Sequence, residues 1–84
     1  MDFQSPDDLN GRVQRMLTEV FQVDMELITP DLSFGDLPQW DSLGHMDVMM
    51  RLEEQFGAEI DTDAIASLVN VPAICRFLQE RGYA

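Results

Sequence analysis

Between Asp41 and Gly57 the chain reads as one capped amphipathic helix, and the rest of the sequence has to be arranged around it. Val48, Met49, Leu52 and Phe56 recur at spacings of three and four, which places them on one helical face. Asp41 can accept a hydrogen bond from an amide two or three residues on, and Gly57 suits a C-terminal stop, so the predicted helix runs from Ser42 to Phe56. A second apolar arc, Leu43, Met46 and Met50 with Asp47 among them, lies on another side at about 100° per residue. Glu53 and Glu54 flank the arcs. Two arrangements are open. The arcs can merge into one wide buried face, or the second can form a separate exposed surface. An acid-bordered strip of Leu and Met is what transient docking needs, because Met adapts to several partners.

The remaining periodic segments are also helical. Ser5-Pro6-Asp7-Asp8 reads as a helix start, with Ser5 as cap, Pro6 at the first position and two acids at the positive end of the dipole. Leu9, Val13, Met16, Leu17 and Val20 follow as one stripe, with Arg12, Arg15 and Glu19 on the other side, predicting a first helix from Pro6 to Phe21. After the acidic loop 58–63, Asp61 or Thr62 caps a short helix through Ala64, Ile65, Leu68 and Val69. Asn70 caps the last helix, which tolerates Pro72 in its first turn, carries Val71, Ile74, Phe77 and Leu78, and ends near Gly82. No segment shows strand alternation. The 84 residues leave room for one core, so residues 1–84 are expected to be a single domain. The predicted fold is all-α, a small antiparallel four-helix bundle with one short helix and a long first loop.

That loop, from Gln22 to Trp40, exceeds the roughly 12–15 residues usual for a structureless connection. It must therefore carry local structure, function or both. Thr29-Pro30-Asp31 is expected to start a single helical turn, and Leu27, Ile28, Leu32, Phe34 and Leu37 to pin the loop to the core. A pinned loop delivers Asp41-Ser42 to a reproducible place.

Charge narrows the partners. Sixteen acids against five arginines, without a lysine, give a net charge of -11. Such a chain repels nucleic acid and anionic membrane, and attracts basic protein surfaces, besides staying soluble. The single cysteine, Cys75, excludes an internal disulfide and points to a reducing compartment. No apolar run is long enough for a membrane span, and Met1-Asp2-Phe3-Gln4 lacks the basic start of a secretion signal. A cytoplasmic monomer is expected.

Ser42, at the loop–helix junction, has three readings: a cap or filler residue, a nucleophile, or a site of covalent modification. Catalysis fits poorly. His45 stands three residues on, but a triad also needs an orienting acid and an oxyanion hole in a cleft. His45 also projects toward the core arc. Cys75 and His45 lack metal-ligand spacing, and the acids from Asp31 to Asp41 do not match a calcium loop. Modification through a phosphodiester fits better, because a phosphate at Ser42 would face the free amides and positive dipole end of the helix. Gly44 leaves the approach to the serine open.

Asp41-Ser42-Leu43, the acidic helix ending Leu52-Glu53-Glu54-Gln55-Phe56-Gly57, Glu59-Ile60 before the short helix and Asn70-Val71 at the last one together resemble the acyl carrier protein family. The resemblance covers essentially the whole chain. It implies a carrier, not an enzyme, with phosphopantetheine attached to Ser42 and an acyl or aminoacyl group held on its thiol as a thioester. It further implies that Asp41 and Leu43 are recognised by a phosphopantetheinyl transferase. Met46, Asp47 and Met50 would be recognised by acyl-loading and acyl-transfer enzymes with basic docking surfaces. Trp40 stands where many members have glycine or a small residue; it can pack the loop or serve in docking, and packing is the expected role. Trp40 to His45 resembles discrete carriers of specialised pathways: polyketide, nonribosomal peptide or fatty-acid-like. The Gly-Gly-containing motif of peptidyl carriers is absent, which disfavours an embedded peptide-synthetase carrier. The alternative is an unmodified acidic helical adaptor that binds through Leu43, Met46 and Met50.

Overall fold

Four side-chain caps set the helix starts in the computed structural model, which describes residues 8–83. Asp8 accepts from the Gly11 amide at 2.7 Å and opens α1 (Leu9–Phe21). Asp41 accepts from Gly44 at 2.9 Å and opens α2 (Ser42–Phe56). Asp61 accepts from Ala64 at 2.8 Å and opens α3 (Thr62–Ser67). Asn70 accepts from Ala73 at 2.8 Å and opens α4 (Val71–Glu80), with proline in its first turn. Each such bond satisfies an amide that has no partner within the helix, and losing it costs about 0.5–2 kcal/mol.

Three of these caps fall where expected. The fourth does not: α1 begins at Leu9, not Pro6, because Asp8 is itself the extended residue before the helix. Asp8 directly precedes the apolar stripe. The expected cap Ser5, and Pro6, lie outside the described residues. α3 is also shorter than expected, ending at Ser67, with Leu68 as its C-cap and Val69 beyond it. Gly57 ends α2 at φ 69°, the left-handed conformation glycine adopts without steric cost, and its amide bonds back to the Glu53 carbonyl at 3.1 Å.

The helices form an all-α bundle. α1 packs against both α2 and α4, and α3 rests on α2. Val13 and Leu17 of α1, Val48 and Leu52 of α2, and Ile74 and Leu78 of α4 are fully buried at the centre. The stripes read from sequence are therefore the core faces. Among the described residues there is no strand, only an isolated antiparallel bridge between Ser33 and Asn70.

That bridge is how the long connection is held. Phe34 donates its amide to the Val69 carbonyl at 2.8 Å, so the loop crosses the α3–α4 corner. Gln14 of α1 donates from Nε2 to the Ile28 carbonyl at 3.3 Å. Ile28, Leu32 and Trp40 are buried and Leu37 is partly buried, whereas Leu27 and Phe34 are exposed. Of the five expected anchors, two thus stay outside the core. The helical turn also moves: a 3-10 turn occupies Met25–Leu27, and Thr29 to Leu32 is a reverse turn closed by a 3.0 Å bond from the Leu32 amide to the Thr29 carbonyl. Both Ile28 and Leu32 reach the core this way, and Phe34 meets Val69 from within the next turn, closed by the Asp36 amide on the Ser33 carbonyl at 2.9 Å.

The C-terminal end is tied down by Tyr83. Its hydroxyl accepts from the Glu59 amide at 3.1 Å, and its ring lies 5.9 Å from that of Phe77. Truncating a central side chain should be expensive. Ile74→Ala is expected to lower the unfolding free energy by about 2–5 kcal/mol in urea titration, the usual cost of emptying a fully buried aliphatic site.

Candidate functional site

The start of α2 is fixed from behind by the loop. The Trp40 amide donates to Leu37 and its carbonyl accepts from Gly35, both at 3.0 Å. The Gln39 carbonyl lies so close to Gly44 that a Cβ there would stand 2.0 Å from the oxygen. Gly44 is therefore required by a backbone crossing, and not merely permitted at the helix end. Open approach to Ser42, the reason expected from sequence, is at most a by-product.

Trp40 is fully buried, as loop packing required, and packs at a tilt against Phe21 with ring centroids 5.3 Å apart. Its indole N–H donates to Nδ1 of His45 at 3.0 Å. His45, 5% exposed, bonds through Nε2 to the Ile65 carbonyl of α3 at 2.7 Å. An indole N–H only donates and a carbonyl only accepts, so these bonds define the neutral imidazole with its hydrogen on Nε2. Both nitrogens are engaged, and neither is free to take a proton from Ser42. The bridge joins loop, α2 and α3.

On the outer side, the expected site residues gather on one face. Ser42 and Asp41 are exposed, and so are Leu43 (70%), Met46 (46%) and Met50 (52%). Asp47 and Glu53 are exposed among them, while Met49 is buried. The two arcs of α2 are therefore separate faces. Beside Ser42, between α2 and α3, runs a groove of about 360 Å³ lined by Phe34, Ser42, His45, Met46, Ile65, Ala66 and Val69. Phe34 covers His45 edge-on, with ring centroids 5.2 Å apart.

The electrostatics are one-sided. Arg51 is the only cation between Gln22 and Asn70 in the sequence, and it pairs with Glu19 at 2.8 Å. The acids of α2 and its flanking loops therefore have no basic residue of their own segment besides Arg51, which pairs with Glu19 of α1. The remaining arginines lie on α1 and at α4, where Arg12 covers the Phe56 ring and Arg81 the Phe77 ring. Cys75, on α4, is half-buried; burial, and secondarily the charge of Asp8, raise its thiol pKa. That keeps it protonated and unreactive at neutral pH.

Sequence reasoning missed the contributions of Phe34, Ile65, Ala66 and Val69, and the bridging role of His45. Only the apolar character of loop and α3 hinted at them. No helix among the described residues is long and apolar enough to cross a membrane, and no group of acids, histidines and cysteines there is arranged to hold a metal ion.

Fold and site together define a small helical protein built around one presented helix start. Residues 11–78 match the family model described as a phosphopantetheine attachment site. The acyl carrier protein of Phenylobacterium zucineum (strain HLK1) is 35% identical over 74 residues, spanning 88% of this chain and 94% of that protein. Acyl carrier protein AcpP of Rhizobium meliloti (strain 1021) is 33% identical over 73 residues, 87% and 94% of the two chains. That of Helicobacter pylori (strain G27) is 31% identical over 72 residues, 86% and 92%. The chain belongs to the acyl carrier protein family, whose prosthetic group is phosphopantetheine.

The Gly44 crossing gives a sign test. In an ordinary helix Gly→Ala stabilises by up to about 1 kcal/mol. Here the added methyl meets backbone, so Gly44→Ala is expected to destabilise by about 1–3 kcal/mol in urea titration, the cost of overpacking.

Proposed function

We propose that Ser42 is the residue that carries phosphopantetheine, and that the protein is a discrete acyl or aminoacyl carrier, not itself a catalyst. One observation carries the reading: an exposed serine on the first turn of a rigidly positioned helix. Asp41 takes the Gly44 amide, and the amides of Ser42 and Leu43 have no acceptor within the helix. Those amides and the positive dipole end favour a phosphodiester on the neighbouring hydroxyl. The residues present thus fit the group. When bound it supplies a terminal thiol that holds the cargo as a thioester, while the bundle supplies position and address.

In this reading Asp41 and Leu43 are contacts for a phosphopantetheinyl transferase. Met46, Asp47 and Met50 meet acyl-loading and acyl-transfer enzymes with basic docking surfaces. The exposure of the Leu43, Met46 and Met50 strip supports this, since an apolar strip ringed by acids suits partners that are apolar at the centre and basic at the rim. We place the chain as a monomeric, cytoplasmic, single-domain carrier (residues 1–84) of a polyketide, nonribosomal peptide or fatty-acid-like pathway. The same strip also supports a second reading, an adaptor that docks without modification. The two part at Ser42.

Incubation with coenzyme A, magnesium and a broad-specificity phosphopantetheinyl transferase is expected to add the mass of one phosphopantetheine to the wild type and nothing to Ser42→Ala. No gain on wild type, or an equal gain on Ser42→Ala, would overturn the assignment. If Ser42→Ala still bound every partner while Met46→Glu bound none, the adaptor reading would take its place.

Docking should be electrostatic at the rim and apolar at the centre. The transferase's KM for this chain is expected to rise as salt goes from about 0.1 M to about 1 M, because the screening length falls from about 10 Å to about 3 Å. Leu43→Glu should raise that KM at every salt concentration, by about tenfold if Leu43 is a central contact. A KM indifferent to salt would leave the acids a solubilising role only.

A further inference from the structure

We propose that His45 closes the helical interior to whatever is attached at Ser42, so that an acyl chain carried there stays in the surface groove or in solvent. The inference rests on the reading of Ser42 as the attachment residue, and deepens it by assigning the residue that limits where the cargo can go.

The groove is the natural first resting place for such a chain. It touches Ser42, and no charged side chain lines it. The two ring nitrogens of His45 are occupied by Trp40 and Ile65, so the imidazole offers the groove no unpaired hydrogen-bonding atom. At about 360 Å³ it is at the small end of ligand pockets, which run from roughly 300 to 1,000 Å³.

Its inner wall is the imidazole. Behind His45 stands the Trp40 indole, with ring centroids 6.2 Å apart and planes 30° apart, and behind that Phe21 in the core. The bond from Nε2 to the Ile65 carbonyl, 2.7 Å long, spans the seam between α2 and α3. A chain entering through that seam must part this bond and displace a ring hydrogen-bonded on both sides. It would leave a buried indole N–H and a carbonyl without partners, and an alkyl chain offers no hydrogen bond in exchange. The wall is thus closed by polar satisfaction as well as by packing. Purely apolar side chains at this seam would part without losing any hydrogen bond.

The test uses intact protein loaded enzymatically with acetyl-, butyryl- or octanoyl-phosphopantetheine, each product verified by mass and by its absence on Ser42→Ala. Amide and indole N–H signals are then followed by two-dimensional NMR. In the wild type, lengthening the chain is expected to move signals of Ile65, Ala66 and Val69 at most, leaving the Trp40 indole and the Leu68 amide in place. In His45→Ala the octanoyl form is expected to shift the Trp40 indole and Leu68 relative to the acetyl form. Where that variant does not fold, His45→Asn serves: its amide oxygen can still accept from Trp40 but is too short to reach Ile65. A purely structural role for His45 would change the spectra of unloaded variants without creating a dependence on chain length. Length-dependent shifts of the Trp40 indole or Leu68 in the wild type overturn the proposal, as does the lack of any such dependence in the variants. Protein that loads on Ser42 yet gives either result defeats this inference alone, whereas failure to load at Ser42 defeats the assignment beneath it.

Discussion

Three separate pieces of chain meet at one imidazole. Trp40 comes from the loop, His45 from α2 and the Ile65 carbonyl from α3, and the two hydrogen bonds at 3.0 and 2.7 Å hold them together. Histidine is suited to this because its neutral form is a donor at one end of a rigid ring and an acceptor at the other. An apolar residue of similar volume would fill the space, but would leave the indole N–H and the carbonyl unsatisfied. Buried polar links of this kind specify one arrangement among several that packing alone would tolerate. The position of the α2 start relative to α3, and hence the shape of the groove beside Ser42, depends on it.

The site face follows from what α2 must do on its two sides. Val48, Met49 and Leu52 are consumed by the core, which fixes the helix in rotation. Leu43, Met46 and Met50 are then left outside by geometry, where the segment's acids have only Arg51 to balance them. Exposed apolar side chains of this size carry a cost in solubility, and the surrounding charge offsets it by keeping like molecules apart. One arrangement therefore keeps like molecules apart while leaving the apolar strip open, as the docking proposed for it requires.

What could be read from the sequence was local. Asp41, Asp61, Asn70 and Gly57 act within three or four residues of themselves, so their caps and stops were visible in the string of residues, as were the apolar stripes. Asp8 was the exception because Ser5-Pro6-Asp7-Asp8 offers several caps in succession, and sequence alone does not rank them. Non-local facts stayed hidden. The His45–Ile65 bond joins residues 20 apart, and the Phe34–Val69 pairing joins a loop to a distant corner. The necessity of Gly44 was equally invisible, since it comes from the Gln39 carbonyl folding back over the helix. A glycine near a helix start carries the same letter whether it is idle or indispensable.

α3 shows how these levels combine. Six residues are too few for a helix to persist alone, because nucleation is not repaid within so few hydrogen bonds. Of its own residues it buries only Ala64, so packing holds it weakly. Its place is set by Asp61 at one end, by buried Leu68 at the other and by the His45 bond in between. Yet Ile65 and Ala66 of this helix form one wall of the groove at Ser42. The wall next to the site is thus its least self-sufficient element, stationed by side chains reaching from outside it. Such an element answers readily to changes at those few contacts, and His45 is the one among them that also touches the groove.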